Sequence, residues 1–259
     1  MIDNRVWRWH FGKGLVETTD NFGVIGAKPS NPKLLDWLAC RFIEDGWSIK
    51  SLHRRILSSA TWQATCETPN ASKDPQNTLF SRFPIRKLSA EEIRDTWISL
   101  SGDLNHTIGG KVFFPANRKH IFTVTSIDDT NYDINRRSIY LPVIRNHVYD
   151  FFQLFDFPDP IIVQGSRKES VTNQQALFLM NSSFSQSIAV KIARKTFSKN
   201  NNLWINKIYT LILGRFPDEM EELAAKNFML NFPNPKDDYH AATVFTQSIL
   251  CSNEFLYLR

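Results

Sequence analysis

The chain has 259 residues, 42% hydrophobic and 22% charged, a composition that excludes a disordered linker and leaves room for one large folded domain or two small ones. Its net charge of +5 comes from Lys and Arg scattered among acids, so it supports solubility and gives at most a weak preference for anionic partners. That mixed pattern predicts neither the continuous basic face nor the steep salt dependence of a nucleic-acid binder.

Trp7, Trp9, His10 and Phe11, followed by glycines at 12, 14, 23 and 26, predict a short helix and then a turn-rich segment over residues 1–30. Asn31-Pro32 is a helix start, an N-cap with proline at the first helical position. Leu34, Leu35, Leu38 and Phe42 keep helical spacing until Gly46. Ile49, Leu52, Ile56 and Leu57 mark a second helix, and the short turn between the two predicts a helical hairpin. Residues 63–85, polar and proline-containing, read as a loop. Ser89-Ala90-Glu91-Glu92 is a capping box. Ile93, Trp97, Leu100 and Leu104 continue it as a helix that Gly109-Gly110 is expected to end.

Pieces rich in β-formers at 111–114, 121–125 and 138–143 are expected to pair into a small sheet. Residues 136–181 crowd polar, aromatic and proline residues together without helical order, and long irregular segments in compact domains are often functional. Thr172-Asn173-Gln174-Gln175 repeats the capping-box pattern and opens one long helix, with Leu177, Met180, Phe184, Ile188 and Ile192 as its inward stripe. Three more helices follow near 203–213, 217–230 and 238–252, Gly214 closing the first and Pro217 opening the second. The expected fold is mainly α: a multi-helix single domain over 1–259 with a small β element and a long irregular middle. Its parts are a helical lobe at 1–108, an irregular and β middle at 109–171, and a helical lobe at 172–259.

Chemical signatures are few. Three widely spaced cysteines, Cys40, Cys66 and Cys251, fit no disulfide framework and no zinc site. Buried free thiols are expected, with a Cys40–Cys66 bridge as the alternative. No paired CxxC, HExxH, P-loop, GxSxG or CxxCH occurs, so no metal and no cofactor is expected. Asp129-Thr130-Asn131-Tyr132-Asp133 starts like a calcium loop but offers Ile134 where glycine is needed and Tyr140 where glutamate belongs. Ser138 and Ser170 lack an assignable histidine base, His147 being the nearest in sequence. No apolar run approaches the roughly 20 residues of a membrane span. The residues after Met1 lack the apolar core of a signal peptide.

Each remaining candidate has a chemical and a structural reading. Glu91 and Asp95 share a helix face beside Arg94, and fit either an acid/base pair or a salt-bridged polar face. Asp156 and Asp159, inside Phe-Asp-Phe-Pro-Asp-Pro, fit either a carboxylate pair or turns before proline. Arg136, Arg137 and Arg145 would recognise carboxylate, sulfate or phosphate, or else tie the irregular segment together through its carbonyls, Asp156 or Asp159. Trp7, Trp9, His10 and Phe11 with Arg5 and Arg8 would stack on sugars or bases, or pack a core.

Taken in order, the stretches Asn4-Arg5-Val6-Trp7, His10-Phe11-Gly12-Lys13-Gly14, Asn21-Phe22-Gly23 and Leu34–Ala39 resemble a known family. So do Ser51–Trp62 (Ser-Leu-His-Arg-Arg-Ile-Leu), Arg86–Asp95, Arg136–Tyr140, Phe155–Asp159, Gln174–Asn181, Leu213-Gly214-Arg215 and Ser252–Tyr257. It is the planctomycete secreted-domain family catalogued as domain of unknown function 1553. The resemblance implies a C-terminal module of large exported proteins, preceded by a companion domain and often by a cytochrome c-like domain. It also implies an extracytoplasmic location and a chain that is a piece of a larger protein. It supplies no catalytic residues to transfer.

The leading expectation is a non-catalytic binding or scaffolding module, its partners being upstream domains or companion proteins and an anionic glycan. The alternative is a polysaccharide hydrolase working through paired carboxylates. Arg86, Glu91, Arg94, Asp95, Arg136, Arg137, Tyr140, Asp156, Asp159 and Gln175 separate the two. Convergence on an open pocket marks a site, and dispersal marks a scaffold.

Overall fold

The structure, a computed structural model, describes residues 1–67, 72–110, 132, 134–145, 148–198, 201–233 and 238–259. The expected β pieces at 111–114 and 121–125, the acidic stretch apart from Tyr132, and His147 lie outside them. The described residues form two compact units. One comprises Met1–Lys87, Val163–Arg167 and Tyr257–Arg259, the other Leu88–Ile162 and Lys168–Leu256. The first unit's opening piece ends at Lys87, and two distant pieces of chain return to it.

In the first unit, α1 (Ile2–Phe11), α2 (Pro32–Glu44) and α3 (Ile49–Leu57) surround one core of Val6, Trp7, Phe11, Leu15, Leu38, Phe42, Leu52, Ile56 and Phe83. The Asn31 side chain accepts from Leu34 N–H at 3.1 Å and so caps α2 as expected. Gly46 and Trp47 both take left-handed backbone, φ 68° and 62°, and turn the chain into α3. There the Trp47 N–H returns to the Phe42 carbonyl at 2.9 Å. Buried Asn4 acts as a strand-like bridge: its amide donates to the Val16 carbonyl at 3.0 Å and accepts from the Val16 N–H at 2.8 Å. Gly14 lies so close to this bridge that a Cβ there would stand 2.5 Å from the Val16 oxygen. The two returning pieces are held by backbone. The Gly165 carbonyl accepts from Arg8 and Thr19, and β2 (Tyr257–Leu258) pairs antiparallel with β1 (Arg86–Lys87).

In the second unit, α4 (Ala90–Ser101) opens on the expected capping box, Ser89 N–H to Glu92 at 2.7 Å and Glu92 N–H to Ser89 Oγ at 3.3 Å. It ends earlier than expected, at Gly102 with φ 82°, because this glycine already supplies the left-handed C-cap. The expected strand at 138–143 is instead a 3-10 turn over Ser138–Tyr140. The middle segment also holds a short helix, α5 (Asp150–Leu154), whose Phe151 and Phe152 are buried.

The single long helix expected after 172 is two, α6 (Asn173–Asn181) and α7 (Ser183–Thr196). Ser182 leaves helical geometry (φ −69°, ψ 141°) and caps α7 by accepting from Ser185 N–H at 3.1 Å. The break resets the helical phase, so Leu177 and Met180 point outward, 58% and 61% exposed. Leu179 takes the inward place. Then come α8 (Asn201–Leu213), closed by Gly214 at φ 72°, α9 (Glu219–Leu230), α10 (Asp238–Leu250) and α11 (Asn253–Leu256). Asp218, not Pro217, opens α9, through a reciprocal capping box with Glu221. Buried Ala189 and Ala193 of α7 and Ala241 and Ala242 of α10 let these two helices pack closely.

All three cysteines are free, but Cys40 is exposed on α2 and only partial burial holds for the others. Burial pushes the Cys251 thiol up to about 11, and its Sγ lies 3.3 Å from the Leu179 carbonyl. At about pH 8 a maleimide should label Cys40 rapidly and leave Cys251 as thiol until the chain unfolds. Peptide mass mapping over time reads this, and equal labelling of both would contradict the packing. Among the described residues, no helix is long and apolar enough to cross a membrane.

Candidate functional site

Two hydrogen-bonded groups in the second unit gather most of the expected site residues. The first is built on α4. Arg94, 2% exposed, donates to the carbonyl of Arg136 at 2.9 Å, to that of Ile134, and to Ser138 Oγ at 3.4 Å. The next residue, Asp95, accepts the Ser138 N–H at 2.8 and 3.1 Å on its two oxygens and the Ser138 hydroxyl at 2.6 Å. One cation and one anion, 3.5 Å apart, therefore clamp the chain at 134–138 onto the helix. Carbonyl dipoles and the carboxylate offset the desolvation of the guanidinium. The Arg136 side chain turns away, donating to the Gly109 carbonyl at 2.9 Å with its guanidinium 4.4 Å above the Tyr140 ring.

The second group repeats the device. Asp156 accepts the Ser170 N–H at 2.8 Å and the Ser170 hydroxyl at 2.6 Å. It sits at φ 62°, a conformation that aspartate tolerates better than most side chains. Buried Gln175 closes the group, its amide donating to the Leu154 carbonyl at 2.9 Å and to Asp156 and Ser170 at 3.3 Å each. Thr172 caps α6 by accepting from Gln175 N–H at 3.3 Å, yet the Gln175 side chain does not return to complete the box, because it belongs to this group. In both groups the serine hydroxyl donates to a carboxylate, an orientation that supplies no imidazole base.

The other expected residues stand apart. Asp159 is exposed and accepts from Ile161 N–H at 2.8 Å, the turn chemistry of aspartate before proline. Arg137 is exposed, Glu91 is half-buried on α4, and Arg86 lies on β1 of the first unit. Arg136 and Tyr140 pair with each other, while Asp156 is held by Ser170 and Gln175.

Sequence reasoning missed three features. Ser138 and Ser170 are the aspartates' partners, 43 and 14 residues away, and no local spacing announces them. Arg215 grips Glu221 and Glu254 with two bonds each at 2.6–2.7 Å. Those bonds hold the Glu221 carboxyl below its ordinary range. His10 and His53 of the first unit lie 2.7 Å apart, a pairing that the reading of His10 within an aromatic cluster did not include. Among the described residues no group of three or more His, Cys, Asp or Glu could hold a metal ion.

These groups and the helices that carry them define a mainly helical protein organised around aspartate–serine and arginine–carbonyl contacts. The chain belongs to the family described as PSD1, protein of unknown function (DUF1553), whose model matches residues 1–229. No curated protein and no solved structure matches it.

Proposed function

We propose that this chain is a non-catalytic binding or scaffolding module of a larger extracytoplasmic multidomain protein. The observation that supports this reading is the closure of the two aspartate groups. Asp95 and Asp156 each accept two donors from a serine, and Arg94 and Gln175 are spent on backbone carbonyls and on those same groups. A general acid or base needs a carboxyl oxygen open to substrate, and such contacts compete for it. Family membership supports partners among upstream domains or companion proteins of planctomycete-type exported proteins, cytochrome c-like domains included. The chain's own sequence has no CxxCH for haem attachment. Exposed Arg137 and Arg145 supply charge for an anionic glycan.

Asp95→Asn and Asp156→Asn test the reading. Each should lower the unfolding free energy by about 1–3 kcal/mol, since an amide NH2 placed toward the serine donors replaces an acceptor. The unmodified chain should release no reducing ends from a panel of neutral and acidic polysaccharides. Hydrolysis that either substitution abolishes would install the paired-carboxylate hydrolase instead.

A further inference from the structure

The helix α9 (Glu219–Leu230) is apolar on two sides. Its buried side is formed by Ala225 and Met229. At about 100° per residue, Met220, Leu223, Asn227 and Leu230 lie together on the opposite side. There Met220, Leu223 and Leu230 are 74%, 53% and 74% exposed. Phe216, two residues ahead of the Asp218 cap, is 71% exposed. Single exposed leucines are ordinary, but large apolar side chains spaced along one helix face mark a contact surface.

The stripe has the spacing of a coiled-coil seam. Met220, Leu223, Asn227 and Leu230 follow one another at steps of three, four and three, the a and d positions of two heptads with one asparagine at an a position. Glu219 and Lys226 then occupy successive g positions on one flank, while the other flank carries the uncharged Ala224 and Asn231. Glu219 makes no ion pair among the described residues. Lys226 holds Glu222 on its own helix at 3.2 Å, and an ammonium has three donors, so further bonds are open to it.

We infer that two copies of this chain pair through α9, antiparallel, with Met220 of each copy against Leu223 of the other. Because the helices run opposite ways, the same flank of each meets. This register sets Glu219 of each copy beside Lys226 of the other, giving two symmetric ion pairs. Sliding the seam by one heptad sets Lys226 against Lys226. A parallel pair leaves Glu219 and Lys226 facing only Ala224 and Asn231, and crowds two first turns that each carry Glu219, Glu221 and Glu222. Charge thus selects one orientation and one register. The occupant is a second copy because the face supplies both members of its own ion pairs. One helix pair buries less than the roughly 800 Å² per partner of a standard interface, so the association is micromolar.

Sedimentation velocity of the chain from about 1 to 300 µM tests the pairing, with a dissociation constant of about 10–100 µM expected. Leu223→Glu puts an acid into the seam of both copies and should weaken association about thirtyfold or more. Leu223 is exposed in the single chain, so this variant should keep the parent's circular dichroism. Glu219→Lys and Lys226→Glu each turn both ion pairs into repulsions, and each should weaken self-association about tenfold. An equal mixture of these two variants should recover the dimer, because each copy then supplies the charge that the other lacks. A folding defect or a different occupant predicts no such recovery. Monomer at every concentration, a dimer that Leu223→Glu leaves intact, or a mixture no more associated than its components would overturn the proposal. A monomer whose Met220 methyl signal shifts with an added amphipathic helical peptide would also overturn it, assigning the face to another protein.

Discussion

Arg94→Leu is expected to lower the unfolding free energy by about 3–5 kcal/mol, read as a drop in the denaturant midpoint of the second unit. The guanidinium is 2% exposed and supplies donors to the Arg136 and Ile134 carbonyls and to Ser138 Oγ. Leucine fills part of the volume but leaves those acceptors without a donor and leaves Asp95 without its cation at 3.5 Å. Arg94→Lys should fall between the two, because an ammonium keeps the charge but cannot reach several carbonyls in the planar fork geometry. Hydrogen exchange at the Ser138 amide should quicken in the leucine variant, since Asp95 then loses the cation beside it. A leucine variant within about 1 kcal/mol of the parent would show that the 134–138 segment is held by other means.

Asn4→Asp is the second large effect, about 3 kcal/mol or more at neutral pH. Asn4 is fully buried and is the donor to one backbone group of Val16 and the acceptor from the other. The substituted side chain has nearly the same shape but no donor, so a desolvated carboxylate faces the Val16 carbonyl. The introduced carboxyl must be easier to protonate in the folded than in the unfolded chain. The folded state then binds more protons, so stability falls as pH rises through the unfolded value near 4. The deficit should therefore shrink below about pH 4, where a protonated carboxyl donates again. A deficit that is equal at about pH 7 and pH 4 would mean that shape, not the lost donor, is at fault.

Much of the helical framework was legible because its signals are local. Asn31, Ser89 and Thr172 each cap a backbone N–H three residues on, and a pattern read along the chain finds such contacts directly. Local rules also compete, and there the reading slipped. At Ser182 an apolar stripe favoured one continuous helix, while the serine's own capping bond favoured two, and the packing of Leu179 decided for two. Gly109-Gly110 was the expected stop for α4, and the nearer Gly102 acted first. Tyr140 and its neighbours had the composition of a strand, but Asp95 holds Ser138 in a tight turn.

The candidate sites divide along the same line. Arg94, Asp95, Arg136, Asp156 and Gln175 stood out as candidates from their types and from the capping boxes near them. Their partners were not. Asp95 with Ser138, Asp156 with Ser170, and His10 with His53 are pairs set by how helices and loops pack, with no repeating interval to mark them.

By itself the sequence determined a mainly helical, capped and family-typical chain, because helix propensity, caps and apolar period act over a few residues. Only the tertiary structure decided which polar groups close on one another. A buried donor must find whichever acceptor the fold brings within about 3 Å, however distant in the chain. On that account Asp95 of α4 and Asp156 of the irregular middle are held by serines, and two imidazoles of the first unit meet across 43 residues.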